Sequence, residues 1–224
     1  KPPAPIPGYE ERETPYYITD YLILNSIRAG DRNGWIDPEN VVGYNLFPFQ
    51  GHLIEVGLRG EAITEESNSE LFTYFQEQYG DVNYTGKTRR HQNTALAYPI
   101  EKITMVCHEN FDTEHPAGSA VDDIVKMHIS TYETYINNGY EYPEGWEHRR
   151  YYGWGVMPVG EFYLSDVNED NSILLPTSQG MSCLKFMKEP DVPGEYPLTL
   201  TITMNGKEVS HTFTVTFSGT TDEE

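Results

Sequence analysis

Residues Pro193–Phe217 carry the pattern of a β-hairpin whose register can be read from the residues alone. Leu198, Leu200, Ile202 and Met204 alternate with Thr199, Thr201 and Thr203, the period-two pattern of a half-buried strand. Asn205 and Gly206 follow, the dipeptide best suited to a type I′ turn because both of its central positions need φ > 0. On the return, Val209, Phe213, Val215 and Phe217 alternate with Ser210, Thr212, Thr214 and Thr216. A tight turn then pairs Met204 with Lys207, Ile202 with Val209, Leu200 with His211 and Leu198 with Phe213. The apolar residues share one face and the threonines the other, which predicts a strand pair with one side in a core. His211 falls on the inward face, where a histidine with a satisfied ring or at the rim is expected rather than a ligand.

The remaining strand signals agree with a mainly β chain. Tyr16–Arg28, His52–Ala62, Pro99–His108, Val156–Leu164 and Met181–Met187 are rich in β-formers. A turn is expected at Gly30–Gly34. One helix is predicted over 67–80: Ser67 and Glu70 have capping-box spacing, Leu71, Phe75 and Tyr79 share a face, and Gly80 sits at the C-terminal cap. A second helix start is expected at Ser119, with Asp122 and Asp123 in its first turn and Val121, Ile124, Val125 and His128 as its inward stripe. Ile129, Ser130 and Thr131 weaken its continuation to Gly139. Between the helices, Asp81–Tyr98 is expected to be a polar loop carrying Lys87, Arg89, Arg90 and His91, a basic cluster in an acidic chain. The fold expected is an antiparallel β-sandwich of immunoglobulin-like type, with one or two short helices in long insertions. An antibody-type domain is not expected, because Met181 stands where the tyrosine corner would be. Residues 1–14 are expected to be a proline-rich tether, 15–218 a single domain and 219–224 an acidic tail.

Charge narrows the range of partners. Fifteen basic against 35 acidic residues give a net charge of −20. Such a surface repels a phosphate backbone and an anionic membrane, so nucleic acid is excluded and membrane attachment needs another device. Solubility is the plain reading of the charge, and binding of cations such as calcium the second. Seventeen tyrosines point to cohesion built from rings whose hydroxyls keep a partner. No run approaches the roughly 18 apolar residues of a membrane-spanning helix. Cys107 and Cys183 both lie in strand-like stretches, compatible with a cross-strand disulfide or with two buried thiols. The opening Lys1–Gly8 reads as a stiff tether like those behind the lipid-modified end of bacterial lipoproteins, or as a frayed terminus.

Three groups of residues carry chemistry worth weighing. Tyr140, Tyr142, Trp146, Tyr151, Tyr152 and Trp154 are interleaved with Glu141, Glu144, Glu147, His148, Arg149 and Arg150. Ring faces beside bidentate polar groups are what a sugar or peptide site requires, whereas a structural role would pin the same rings to the scaffold. Asp166, Asn168, Asp170 and Ser172 have the 1-3-5-7 spacing of a calcium loop, but Thr177 stands where the bidentate glutamate belongs. Asp31, Asn33 and Asp37 form a weaker set of the same kind. His108, Glu109, Asp112, Glu114 and His115 are metal-ligand types without metal-ligand spacing. No serine elbow and no phosphate-binding glycine pattern is present.

The stretch FDTEHPAGS at 111–119, then VDDI at 121–124, the proline-rich start and the hairpin TITMNGK at 201–207 resemble an uncharacterised family of secreted Bacteroidetes lipoproteins. The resemblance implies export, attachment to the cell envelope through an N-terminal lipid, and a periplasmic or outer-membrane location. It brings no catalytic residue. The function expected is that of a non-enzymatic envelope lipoprotein, structural or ligand-binding, without a cofactor unless calcium, and with a glycan or an envelope protein as partner. The alternative is a glycan-binding protein or carbohydrate-active enzyme using residues 140–154.

Overall fold

The terminal hairpin forms as its pattern dictates. In the computed structural model, which describes residues 12–31, 52–88, 92–141, 157–176 and 183–218, it is built from β10 (Gly194–Met204) and β11 (Lys207–Phe217). Met204 faces Lys207, Ile202 faces Val209, Leu200 faces His211 and Leu198 faces Phe213. Asn205 and Gly206 take φ of 49° and 66°, the left-handed pair that a type I′ turn needs. Along β10, Leu198, Leu200, Ile202 and Met204 are buried, as are Phe213, Val215 and Phe217 on β11.

That apolar face needs a second layer, which the rest of the chain supplies. β6 (Lys102–Cys107) adds to β10, giving the order β11-β10-β6. The other main sheet contains β2 (Asp20–Asp31), β3 (Leu53–Ile63), β5 (Thr94–Leu96), β7 (Val125–Thr131), β8 (Met157–Tyr163) and β9 (Cys183–Phe186), in the order β5-β2-β3-β9-β7-β8. All of its pairings are antiparallel except β2 with β5. The structure is therefore mainly β, with two main sheets and few short helices. Ile54, Val56, Val125, Met127, Ile129, Leu184 and Phe186 from the larger sheet join the buried face of the smaller one in a single apolar cluster. Burying each such side chain contributes about 1.5–3 kcal/mol before the entropy of ordering is subtracted. Cys107 lies within this cluster as a free thiol.

The two sheets also meet along one edge, where β11 lies beside β2. No ladder joins them there. Instead the Ala29 N–H donates to His211 Nδ1 (3.1 Å), and the Thr216 N–H donates to Asp31 Oδ2 (3.2 Å). His211 is thus the satisfied histidine expected from the register.

A second cluster, rich in tyrosine, lies at the end of the larger sheet where β2 starts and β7 ends. Tyr16, Tyr17, Tyr21, Tyr132 and Tyr135 pack there with Phe72 and Phe75 of helix α1 (Ser69–Tyr79) and Ile136 of helix α2 (Glu133–Asn137). α1 ends at Gly80 with φ 71°, as the cap predicts. Its N-cap is Asn68, one residue beyond the expected Ser67: the Asn68 side chain accepts from the Leu71 N–H (3.1 Å). Ser67 is occupied elsewhere, exchanging two bonds with Thr64.

The helix expected from Ser119 does not form. Residues 118–122 run instead along β6, where the Cys107 N–H donates to Ser119 O and the Val121 N–H to Met105 O. Asp122 accepts from the Met105 N–H (2.7 Å) and the Thr104 hydroxyl (2.9 Å), so it caps a neighbouring strand rather than a helix of its own. From Val125 the burial of Val125, Met127, Ile129 and Thr131 alternates as β7, and the helix begins only at Glu133. The expected polar loop 81–98 is also corrected in part. Asp81 and Asn93–Ala97 are buried, because they supply backbone partners to β2 and its approach. Lys87 and Thr88 form β4, paired with β1 (Arg12–Glu13) inside the stretch read as a tether. Residues 1–11, Arg89–His91 and 219–224 lie outside the described residues, as do Asn33 and Asp37 and the turn after Asp31.

β2 carries a bulge between Leu24 and Ser26, and Gly60 sits opposite Leu24. A Cβ added at Gly60 would fall on the carbonyl oxygen of Ile23, a backbone atom that cannot swing away. At Gly57 the nearest such atom is 3.9 Å distant. Gly60→Ala is accordingly expected to lower unfolding free energy in urea by about 2–3 kcal/mol or more, and Gly57→Ala by under about 1 kcal/mol. Equal effects at the two positions would contradict this packing.

Candidate ligand-binding site

The aromatic segment enters the described structure at Tyr140. Tyr142, Trp146, Arg149, Tyr151, Tyr152 and Trp154 lie outside the described residues. Tyr140 marks the point where the chain leaves α2, and its position is held from several sides. Gly139 and Tyr140 take φ of 67° and 64°, a pair of left-handed residues that turns the chain sharply off the helix. For a tyrosine this conformation costs on the order of 1 kcal/mol, so its surroundings must hold it there. The Tyr140 N–H donates to Tyr135 O (2.9 Å), and its ring meets Tyr84 edge-on at 5.1 Å and Tyr135 at 5.8 Å.

Its hydroxyl donates to Asp81 Oδ1 at 2.8 Å and accepts from the Asn83 N–H at 3.4 Å. Asp81 follows directly on the Gly80 cap of α1 and is 0% exposed. Its carboxylate also accepts from the Tyr17 N–H (2.8 and 3.0 Å) and the Ile18 N–H (2.7 Å). One side chain thereby joins the end of α1, the approach to β2 and the first residue of the aromatic segment. Burial pushes the Asp81 carboxyl above the ordinary carboxylate range, against the two N–H groups and the Tyr140 hydroxyl, which pull it down. The same burial, with the Asp81 charge second, raises the Tyr140 phenol, and burial raises those of Tyr21, Tyr79 and Tyr132. These hydroxyls therefore stay protonated and act as hydrogen-bonding groups, not as proton carriers near neutrality.

The expected calcium loop closes on itself. Asp166, Asn168, Asp170 and Ser172 lie on two 3₁₀ turns, Leu164–Asp166 and Glu169–Asn171, or beside them. Asp166 Oδ2 accepts from the Tyr163 N–H (2.9 Å), and Asn168 Oδ1 accepts from the Asp170 N–H (3.1 Å). The third sequence cluster separates. His108 Nε2 bonds to the Thr199 hydroxyl on the sheet face (2.7 Å), while Asp112 and His115 pair with each other (2.8 Å). Among the described residues no group of three or more histidine, cysteine or acidic side chains is placed to hold a metal ion.

Tyr140 stands out in the sequence as a ring among rings, whereas its partner Asp81 does not and is assigned there to a polar loop. The one local signal was its place directly after a helix-capping glycine, where a carboxylate is free to turn back into the core.

Asp81→Ala would leave the buried Tyr17 and Ile18 N–H groups unpaired, at about 1–3 kcal/mol each, whereas Tyr140→Phe removes one donor from an acceptor with others left. Urea unfolding should show Asp81→Ala losing about 2–4 kcal/mol and Tyr140→Phe about 1 kcal/mol. A larger loss for Tyr140→Phe than for Asp81→Ala would contradict the arrangement.

No family model matches this chain, and no curated protein or solved structure is significantly similar to it.

Proposed function

We propose that this chain is a non-enzymatic module of the cell envelope, carried on a lipid-modified N-terminal tether, that binds a ligand through its aromatic segment at 140–154. The ligand class is a glycan, with an envelope protein as the second kind of partner. The observation that carries this reading is the hold on Tyr140. A segment that leaves the fold at a residue fixed by a buried carboxylate leaves it from a defined position. The segment has the residue types such a site needs. Tyr142, Trp146, Tyr151, Tyr152 and Trp154 supply flat faces for the apolar side of a sugar ring, and Arg149 supplies paired donors for its hydroxyls. The scaffold's own outward face offers a poorer site, since the strands of the hairpin present mainly short threonine hydroxyls there.

The test is a glycan array probed with the full chain and with Trp146→Ala and Trp154→Ala. The reading expects retention on a defined subset of glycans, with each substitution losing about 1–3 kcal/mol of binding, or roughly 5- to 150-fold in affinity. No retention on any glycan, or retention indifferent to both substitutions, would defeat it. Release of reducing sugar from envelope polysaccharide would defeat the non-enzymatic part.

A further inference from the structure

The motif at 111–123 folds into a row of alternating charges that plays no part in ligand binding as proposed above. Its centre is His115, 5% exposed. Its Nδ1 lies 2.8 Å from Asp112 Oδ1, and its Nε2 lies 2.9 Å from Asp123 Oδ1. A neutral imidazole has a single N–H, so one of these contacts would set a lone pair against a carboxylate oxygen. The carboxylates are not the proton carriers. Asp112 Oδ1 already accepts from the Glu114 and His115 N–H groups (both 2.8 Å), and its Oδ2 lies 2.8 Å from Lys188 Nζ, so every group around it is a donor. Asp123, its side chain 67% exposed to water, presents Oδ1 as an acceptor to the ring. The ring must therefore hold both protons.

We propose that Lys188, Asp112, His115 and Asp123 form a proton-dependent latch, closed while His115 is an imidazolium, that folds the 109–124 connection on itself and against the loop 187–193. The closed latch has visible dependents. The Phe111 N–H donates to His115 O (2.9 Å), and the Asp191 N–H crosses from the neighbouring loop to Phe111 O (3.0 Å). Other charges face it from both elements: Glu114 on the same segment, and Asp191 beside Lys188 on the neighbouring loop. Asp122 adjoins Asp123 but is turned toward β6. The Phe111 ring stands edge-on to the imidazole at 6.5 Å.

The direction of the pH effect follows. Burial works against a charged His115, but its bonds to Asp112 and Asp123 outweigh burial and hold its pKa above the ordinary value. Its stabilising contribution is complete below the unfolded value of about 6.5 and is lost as pH rises through the folded one. Burial alone would raise Asp112, yet Lys188, His115 and the two N–H groups hold it well below the usual carboxylate range. Its contribution is therefore present above about 3.9 and lost only as pH falls through its lower folded value. The latch is closed at moderately acid pH and opens as pH rises through the folded value of His115, which lies above the ordinary one.

Nitrogen-detected NMR of the full chain tests this. Both His115 ring nitrogens should carry protons at neutral pH, and the ring should titrate at higher pH than it does in urea. Protection of the Glu114, His115 and Asp191 amides from hydrogen exchange, corrected for intrinsic base catalysis, should fall as that titration is crossed. Asp123→Asn, at an exposed position that leaves the core intact, should move both events to lower pH. A ring with a single N–H at neutral pH would overturn the proposal. So would amide protection indifferent to the titration, or an Asp123→Asn chain that titrates unchanged.

Discussion

A carboxylate with no exposed surface, and no cationic partner among the described residues, sets the terms for one end of this molecule. Removing such a charge from water costs several kcal/mol even after relaxation, so its hydrogen bonds cannot be optional. Asp81 is satisfied only if the backbone of Tyr17 and Ile18 and the hydroxyl of Tyr140 arrive together. Counting Asp81 itself, these groups come from three parts of the chain, 59–64 residues apart in sequence, and removing the carboxylate would leave the Tyr17 and Ile18 N–H groups unpaired. The requirement ties the end of α1 to the approach of β2 and to the exit from α2. The tyrosine cluster fills in around that knot, with rings meeting mostly edge-to-face or tilted at 4.7–6.5 Å.

The two ends of the structure are held by different physics. Between the sheets the cohesion is aliphatic and phenylalanine-rich, which suits strands that only need one dry face. Under the helices it is tyrosine, which lets loops with polar backbone be buried because hydroxyls and carboxylates supply partners. The ion row around His115 does the same for the long connection between β6 and β7. In each case an irregular stretch is held by charge-assisted bonds, while the regular strands are held by apolar burial. This division leaves the sheets as the scaffold and makes the connections the places where recognition can sit.

What could be read in the residues tracks how local the forces are. The hairpin was fully legible because its pattern and its turn are local and agree: alternate apolar positions on both arms, with Asn205 and Gly206 between. β3, β6, β8 and β9 were legible for the same reason, and α1 for its Gly80 cap. The segment from Ser119 misled because Ser119, Asp122 and Asp123 make a sound helix start on local grounds. Its outcome was decided by Met105 and Thr104 on another strand, to which Asp122 turns. Tyr140 was visible as a ring among rings. Its partner Asp81 was not, since nothing in the local pattern marks a carboxylate that will be buried by residues 59–64 positions away.

On the function proposed above, the two sheets fold and residues 140–154 bind, and the two roles can be measured separately. In a chain with Tyr142, Trp146, Tyr151, Tyr152 and Trp154 all changed to serine, the account predicts a urea midpoint close to that of the parent and a complete loss of ligand binding. If these rings are instead part of the core, each buried ring removed should weaken the fold by about 3–5 kcal/mol, and the chain would no longer unfold as a stable cooperative unit. That second result would contradict the account.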